Sequence, residues 1–531
     1  MQISDTSPYA SRRSPVMADN IVATSQPLAA QAGLSMLARG GNAMDAALAT
    51  AIALTVVEPT GNGIGSDAFA IIWDGSDLHG LNASGRSAAG WHPERFAGRK
   101  EMPVIGWESV TVPGAVSSWV TCSERFGKLS FATLFEPAIR YAESGFPVSP
   151  IVSQLWAREA ERLKHQPGFS EAFLPQGRAP LAGEYFQSVD QARSLQRIAE
   201  TNGRAFYEGQ IAEEIIAAAQ EHEAALTLED LAQHSVEWCG TISRRFDDAI
   251  LHEIPPNGQG IAALMALGIL SHTPIRDLGA ENPMAMHLQI EAMKLALRDA
   301  ERFVADPDHM TEVTVSDLLD DAYLSARAQE IDLQAATDFA SGAPRRGGTV
   351  YLTAADESGM MVSFIQSNYE KFGSGVVVPG TGIALQNRGA GFSLDPRHPN
   401  VVGPGKRPFH TIIPGFLMGP DGPLMSFGVM GGPMQAQGHV QMLLRTQLFG
   451  QDPQTAVDAP RWRVTEGLGV AIEPEMSEAI VQALQDLGHR VTLEAPDAGF
   501  GFGGAQIIHR LQGRGYIAGS DPRKDGAAIG F

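Results

Sequence analysis

Hydrophobic and polar positions fall mainly in a helical rhythm up to about residue 335 and in a strand rhythm from Thr349 onward. PLAAQAGLSMLARGG (27–41) has Pro27 where a helix can start and Gly40 where one can stop. NAMDAALATAIALTVVEP (42–59) follows, with Asn42 as its N-cap. This segment is apolar on nearly every side, which predicts a helix buried between layers. The glycine-rich TGNGIGSDAF (60–69) leads into a strand, AFAIIW (68–73). VTVPGAVSSW (110–119) reads as strand, Pro-Gly turn and helix start. Residues 130–335 carry mainly helical patterns. In HLQIEAMKLALRDAERF (287–303), Leu288, Ala292, Leu295, Asp299 and Phe303 share one face. Glu291 and Asp299 on that helix are candidate functional acids. Their plainer role is to be solvated or bonded to nearby backbone.

ATDFASGAPRRGG (336–348) breaks the rhythm with a linker composition. Three hairpins are then predicted: TVYLTAA and MMVSFIQS around DESG, FHTIIPGFLM and PLMSFGVM around GPDG, and AQIIHRL with GYIAGSD. The seam between the two regimes is Gly348-Thr349, and no internal repeat is visible.

Composition narrows the picture. The 531 residues are 44% hydrophobic and 19% charged, ordinary for a globular chain with a large core. A formal charge of -21 repels phosphate backbones and anionic lipid, so neither nucleic acid nor a membrane surface is an expected partner. Cys122 and Cys239 cannot make a disulfide framework and read as two buried small hydrophobes. Residues 1–21 lack an apolar secretory core and read as a disordered lead-in. AALATAIALTVV (46–57) is too short to span a bilayer. The expectation is a soluble, cytoplasmic protein.

No nucleotide, metal or other cofactor is expected. TGNGIGSDAF and GFGFGGAQ (499–506) match neither dinucleotide nor P-loop spacing, and tight turns explain their glycines. The 14 histidines show no H-E-x-x-H or other ligand spacing. No G-x-S-x-G elbow is present.

Thr349 is the chemical candidate. A threonine hydroxyl is a poor nucleophile until a base takes its proton. As a chain's first residue it would have its own α-amino group for that purpose. This requires cleavage between Gly348 and Thr349. Glycine before the bond permits backbone shapes that let the hydroxyl approach the Gly348 carbonyl for an N-to-O acyl shift. The α-amino group titrates near pH 7.7–8.0, and partial burial lowers that further. On local pattern alone, Gly-Gly-Thr is usually just a loop entering a strand.

Several ordered motifs bear on the choice. VATSQPLAAQAGLSMLARGGNAMDAALATAIALTVVEPTGNGIGSDAF, VTVPGAVSSW, FGSGVVVPGTGIALQNRGAGFS, GKRPFHTIIP, GVMGGPMQAQGHVQ, DAPRW and GSDPRKDG together resemble the γ-glutamyltranspeptidase family, whose members are N-terminal-nucleophile (Ntn) hydrolases. The resemblance runs from about Val22 to the C-terminus and is nearest the cytoplasmic glutathione-hydrolase-like branch. It implies an α/β fold, a four-layer αββα sandwich. It also implies a proenzyme that cuts itself into a large subunit (22–348) and a small one (349–531). A homodimer of such pairs is a further expectation. Counting back from DESG places the nucleophile at Thr349. Ser367 matches a threonine whose hydroxyl supports the nucleophile, and Gly431 and Gly432 match the pair whose N–H groups form the oxyanion hole. Loss of one such donor costs on the order of 3 kcal/mol in the transition state.

The specificity positions depart from the family pattern. TVY (349–351) replaces TTH, and Tyr369 stands where an asparagine is usual. Arg388 and Gly391 replace the Gln and Asp that hold the substrate α-amino group, and His410-Thr411 replaces a Ser-Ser pair. Arg86 in LNASGR lies two positions from the place of the family's carboxylate-binding arginine. A substrate ammonium should bind poorly, whereas Arg86, Arg388 or His410 can take a carboxylate, arginine pairing bidentately. Arg388 has a structural ion pair as its plainer role. The expected activity is hydrolysis or transfer of an acyl group from a γ-glutamyl or related small carboxylate-bearing amide, glutaryl-type for example, to water or an amine through an acyl-Thr349 intermediate. The alternatives are a non-catalytic binding protein of the same fold and a nucleotide-binding protein.

Overall fold

The computed structural model describes residues 13–340, 348–495 and 501–531. Most of the linker before Gly348 and the start of GFGFGGAQ therefore lie outside the described residues.

Two seven-stranded antiparallel sheets form the centre. The first runs Ala527–Gly530, Ile21–Thr24, Gly348–Ala355, Met361–Tyr369, Asp67–Trp73, Leu78–Asn82, Glu237–Trp238. The second runs Val16–Ala18, Tyr516–Ser520, Gly504–Arg510, Gly422–Met430, Gly415–Gly419, Ala249–Glu253, Ile242–Phe246. Alternation along each strand sorts side chains into three cores. Tyr351, Ile365, Phe69, Phe416 and Ile508 fill the space between the sheets. Val350, Leu352 and Phe364 face a helical layer that includes Pro27–Ala38 and Ala43–Val57. Phe427, Val429 and Ile507 face Gly260–Leu270, Pro283–Phe303 and Met434–Leu443. The result is the αββα sandwich.

The all-round apolar helix Ala43–Val57 is buried at every residue. It lies between the first sheet and the helices Pro27–Ala38 and Phe131–Ser144. Asn42 and Asp45 close its N-terminus with a reciprocal capping box.

Four expectations need correction. Of the lead-in expected to be disordered over 1–21, residues 1–12 lie outside the described residues, and Val16–Ala18 is a strand paired with Tyr516–Ser520, because the edge of the second sheet offers free backbone groups to it. Residues 110–114 form no strand; Val112 N–H bonds Arg86 O, and Gly114 N–H bonds Ser66 O ahead of the helix Ala115–Phe126. The second hairpin's first strand starts at Gly415, not at Phe409, since residues 409–414 bend away through a bridge between His410 and Gly258. Cys122 is buried, but Cys239 is only half-buried.

The Gly348-Thr349 seam is not a boundary between folding units. Each sheet takes strands from both sides of it. Among the described residues, no helix is long and apolar enough to cross a membrane.

Candidate active site

Thr349 lies at the start of the strand Gly348–Ala355, in the middle of the first sheet. Its ladder with Met361–Tyr369 slips by one residue between Gly348 and Val350, a bulge that re-aims side chains at this level. Thr349 Oγ1 donates to Gly348 O at 2.8 Å, and Ser367 Oγ donates to the same carbonyl at 2.7 Å. The two hydroxyl oxygens are 3.2 Å apart. Space is tight: a Cβ on Gly348 would come within 3.1 Å of Thr60 O and Lys371 N. The need for glycine here is thus also one of close backbone approach.

Hydrogen-bond capacity assigns the direction of each proton. Ser367 Oγ accepts from Tyr369 N at 2.8 Å and from Arg388 Nη2 at 3.3 Å. A serine oxygen has two lone pairs and one proton. With both lone pairs engaged, its proton goes to the Gly348 carbonyl, and it has no capacity left to take one from Thr349. Ser367 can polarise that carbonyl but cannot serve as the base.

Arg388 is fully buried. Its Nη1 donates to Thr411 Oγ1 at 2.9 Å, and its guanidinium lies 4.3 Å above the Tyr369 ring. Among the described residues its Nε has no hydrogen-bond partner, and no carboxylate oxygen lies within 4 Å of it. The structural ion pair is therefore absent from these contacts. Burial pushes the guanidinium down to about 10, partly offset by the field of Asp67. Tyr369 itself has a left-handed backbone, φ 74°, unusual for a bulky residue at a strand end.

Asp67 was not foreseen. Its carboxylate accepts from Gly85 N at 3.2 Å and Gly114 N at 3.1 Å, and its other oxygen is 3.2 Å from His410 Nε2. Burial pushes Asp67 up to about 7, against the opposing pull of Arg388. Burial first and Arg388 second hold His410 well below its ordinary value, so the imidazole is neutral. Ile412 N–H donates to His410 Nδ1, which leaves the proton on Nε2, facing Asp67. His410 is thus a buried link to Asp67, with both ring nitrogens engaged inside the protein. Gln259 also escaped sequence reading: its Nε2 donates to Thr411 O and to Gly432 O, pinning both loops. Nothing local in the sequence marks either residue, since their partners lie in distant segments.

Gly431 and Gly432 end the strand Gly422–Met430 with φ of 127° and 60°, values glycine adopts freely. The helix Met434–Leu443 starts two residues later, so its positive end lies beside their N–H groups. Next to them opens a cavity of about 320 Å³ lined by Tyr369, Gly391, Thr411 and Pro433, among others. Arg86 is not among the lining residues. Its guanidinium bonds Asp306 at 3.2 Å and Gly405 O at 3.0 Å and lines a different cavity. The shifted motif explains this, since two residues of displacement carry the side chain to another surface.

Glu291 and Asp299 take structural roles. Asp299 bonds Tyr323 and Arg327. Glu291 gathers with His287 and His489, their ligand atoms within 4.8 Å of one another. The Lys294 ammonium bonds Glu291 at 2.7 Å and Thr337 O at 3.2 Å, and His287 Nδ1 lies 2.8 Å from His489 Nε2. Internal hydrogen bonds account for this group, which fastens the segment around Thr337 to the helix Pro283–Phe303.

The chain's relatives agree with this architecture. It is 36% identical to a glutathione hydrolase-like YwrD proenzyme of Bacillus subtilis, covering 95% of this chain and 97% of that one. It is 37% identical to an oxamate amidohydrolase proenzyme of Klebsiella pneumoniae, again covering 95% and 97%. The crystal structure of a cephalosporin acylase from Bacillus halodurans superposes with a TM-score of 0.95 at 47% identity, covering 100% of this chain and 99% of that one. The Gamma-glutamyltranspeptidase family model matches residues 29–531. With that match over nearly its whole length, the chain belongs to the γ-glutamyltranspeptidase family of self-processing amide hydrolases and acyltransferases.

Proposed function

We propose that the chain cuts itself between Gly348 and Thr349, and that Thr349 then carries an acyl group from a small amide to water or to an amine. The observation that carries this reading is the convergence of the Thr349 and Ser367 hydroxyls on the Gly348 carbonyl. In self-cleavage, Thr349 Oγ1 attacks the Gly348 carbonyl carbon, and the C–N bond breaks with transfer of a proton to the new amine. Water then hydrolyses the ester, leaving Thr349 as the first residue of 349–531. Its free α-amino group becomes the base that Ser367 cannot be. Gly431 and Gly432 supply the N–H donors for the tetrahedral oxyanion.

Arg388 is the cation for a substrate carboxylate, with Thr411 beside it and Tyr369 over it. Gly391 offers no counter-charge to an α-ammonium group. The curated relatives include an oxamate amidohydrolase, whose named substrate carries a carboxylate next to the amide. The relatives cited are named as enzymes, and nothing favours a non-catalytic binding role. The cell compartment proposed is the cytoplasm, with the two fragments held as one heterodimer and two heterodimers as the assembled form.

The test is intact mass under denaturing conditions for the wild type and Thr349→Ala. Fragments 1–348 and 349–531 in the wild type alone support the reading. A single uncut chain in both would overturn the roles of Thr349 and Ser367.

A further inference from the structure

Two buried titratable groups take no part in acyl transfer itself. Glu253 ends the strand Ala249–Glu253, and His439 lies on the helix Met434–Leu443, which starts just after Gly431 and Gly432. Both side chains are wholly buried, and His439 Nδ1 is 2.6 Å from Glu253 Oε1. Glu253 Oε2 and His439 Nε2 have no hydrogen-bond partner among the described residues. A Cβ on Gly260 would fall 2.9 Å from Glu253 Oε2, so the carboxylate also lies against the positive end of the helix Gly260–Leu270. A buried pair left half-satisfied lowers stability relative to apolar side chains of similar shape. Packing alone therefore gives no reason for these two residues.

We propose that Glu253 and His439 are positioning residues for the oxyanion hole: their hydrogen bond fixes the helix Met434–Leu443, and the helix fixes the direction of the Gly432 N–H. This rests on the reading of Gly431 and Gly432 as the oxyanion donors. Gly431 O accepts from Met434 N at 3.2 Å, and the same peptide plane carries the Gly432 N–H. Gly432 O accepts from Gln435 N at 3.1 Å and from Gln259 Nε2 at 2.9 Å. Glu253 and Gln259 stand at the two ends of one short connection between the strand Ala249–Glu253 and the helix Gly260–Leu270. That connection grips the helix Met434–Leu443 through His439 and the glycine pair through Gln259. Both glycines have positive φ and no side chain of their own to hold it. A donor aimed at a transition-state oxygen must stay within about 0.5 Å of its working place, so the holding falls to the surrounding groups.

The test compares the wild type with Glu253→Met combined with His439→Leu, and with Glu253→Gln alone. In the double variant, release of p-nitroaniline from the mono-p-nitroanilide of glutaric acid should fall at least about ten-fold in kcat, with KM within about two-fold of the wild type, because the lost alignment matters only in the transition state. Urea unfolding should give a stability equal to or above that of the wild type. Hydrogen exchange at the Met434 and Gln435 amides, which needs no substrate, should quicken at least about ten-fold. Glu253→Gln, whose amide can still bond His439 Nδ1, should recover most of kcat and slow the exchange again. If the double variant does not fold, Glu253→Leu alone takes its place with the same expectation. Unchanged exchange, a loss of stability with kcat unchanged, or a Glu253→Gln protein no better than the double variant would overturn the positioning role. Intact mass keeps the two readings apart: a single uncut chain in every protein would remove the nucleophile reading, whereas quickened exchange in the double variant would still uphold the pair as what orients Gly432.

Discussion

At the residue scale, the site is governed by how many hydrogen bonds a hydroxyl can make. Ser367 is saturated by Tyr369 N and Arg388 as acceptor and by Gly348 O as donor. Ser367→Ala should therefore slow self-cleavage by about 10²-fold or more, with Ser367→Thr retaining most of the rate, as read from fragment mass against time. Equal rates in all three proteins would show that Ser367 has no part in activating the carbonyl. Asp67 gives a second prediction. Its folded-state value near 7 exceeds the unfolded value of about 3.9, so the folded state holds a proton that the unfolded state has already released. Stability from this group is present at about pH 4 and is lost as pH rises through about 7. Asp67→Asn should thus gain on the wild type by up to roughly 4 kcal/mol over that window, measured by urea unfolding at its two ends. A constant difference would mean that Arg388 keeps Asp67 ionised throughout.

At the element scale, the nucleophile strand is positioned by what touches its two faces. Tyr351 crosses to the second sheet, where Gly428 leaves room for its ring: a Cβ at Gly428 would fall 2.4 Å from Tyr351 Cε2. Gly428→Ala must push the sheets apart or displace the ring. The expected cost is about 1–3 kcal/mol in unfolding free energy, with slower self-cleavage, although residue 428 touches no reacting group. An unchanged melting temperature and rate would show that the strand is held from its helical face alone. The sequence made the strand itself legible, because period-two alternation and DESG mark both arms of its hairpin. It did not make the bulge opposite Thr349 legible, because register slips follow from pairing partners and not from composition.

At the scale of the whole molecule, both sheets are woven from residues on either side of Gly348-Thr349. Cleavage there cuts a covalent bond without creating a separable part. The two fragments should co-elute as one species of full-chain size or its multiple in size-exclusion chromatography, and separate only in denaturant. Native separation would contradict the interleaved sheets. The sequence by itself determined the family and, through that resemblance, the layers and the nucleophile candidate, while hydrophobic period and turn chemistry marked the helix-rich and strand-rich halves. All of these signals are local or collinear along the chain. It read Arg86, Tyr369, Arg388, His410 and Thr411 as one substrate-binding group and marked neither Asp67 nor Gln259; the structure gathers Tyr369, Arg388 and Thr411 and sets Arg86 against Asp306. Only the tertiary structure decided which of them converge, how deep Arg388 lies and where the apolar cavity opens. Burial, charge balance and cavity shape arise from segments far apart in the chain, and no local pattern encodes the distance between them.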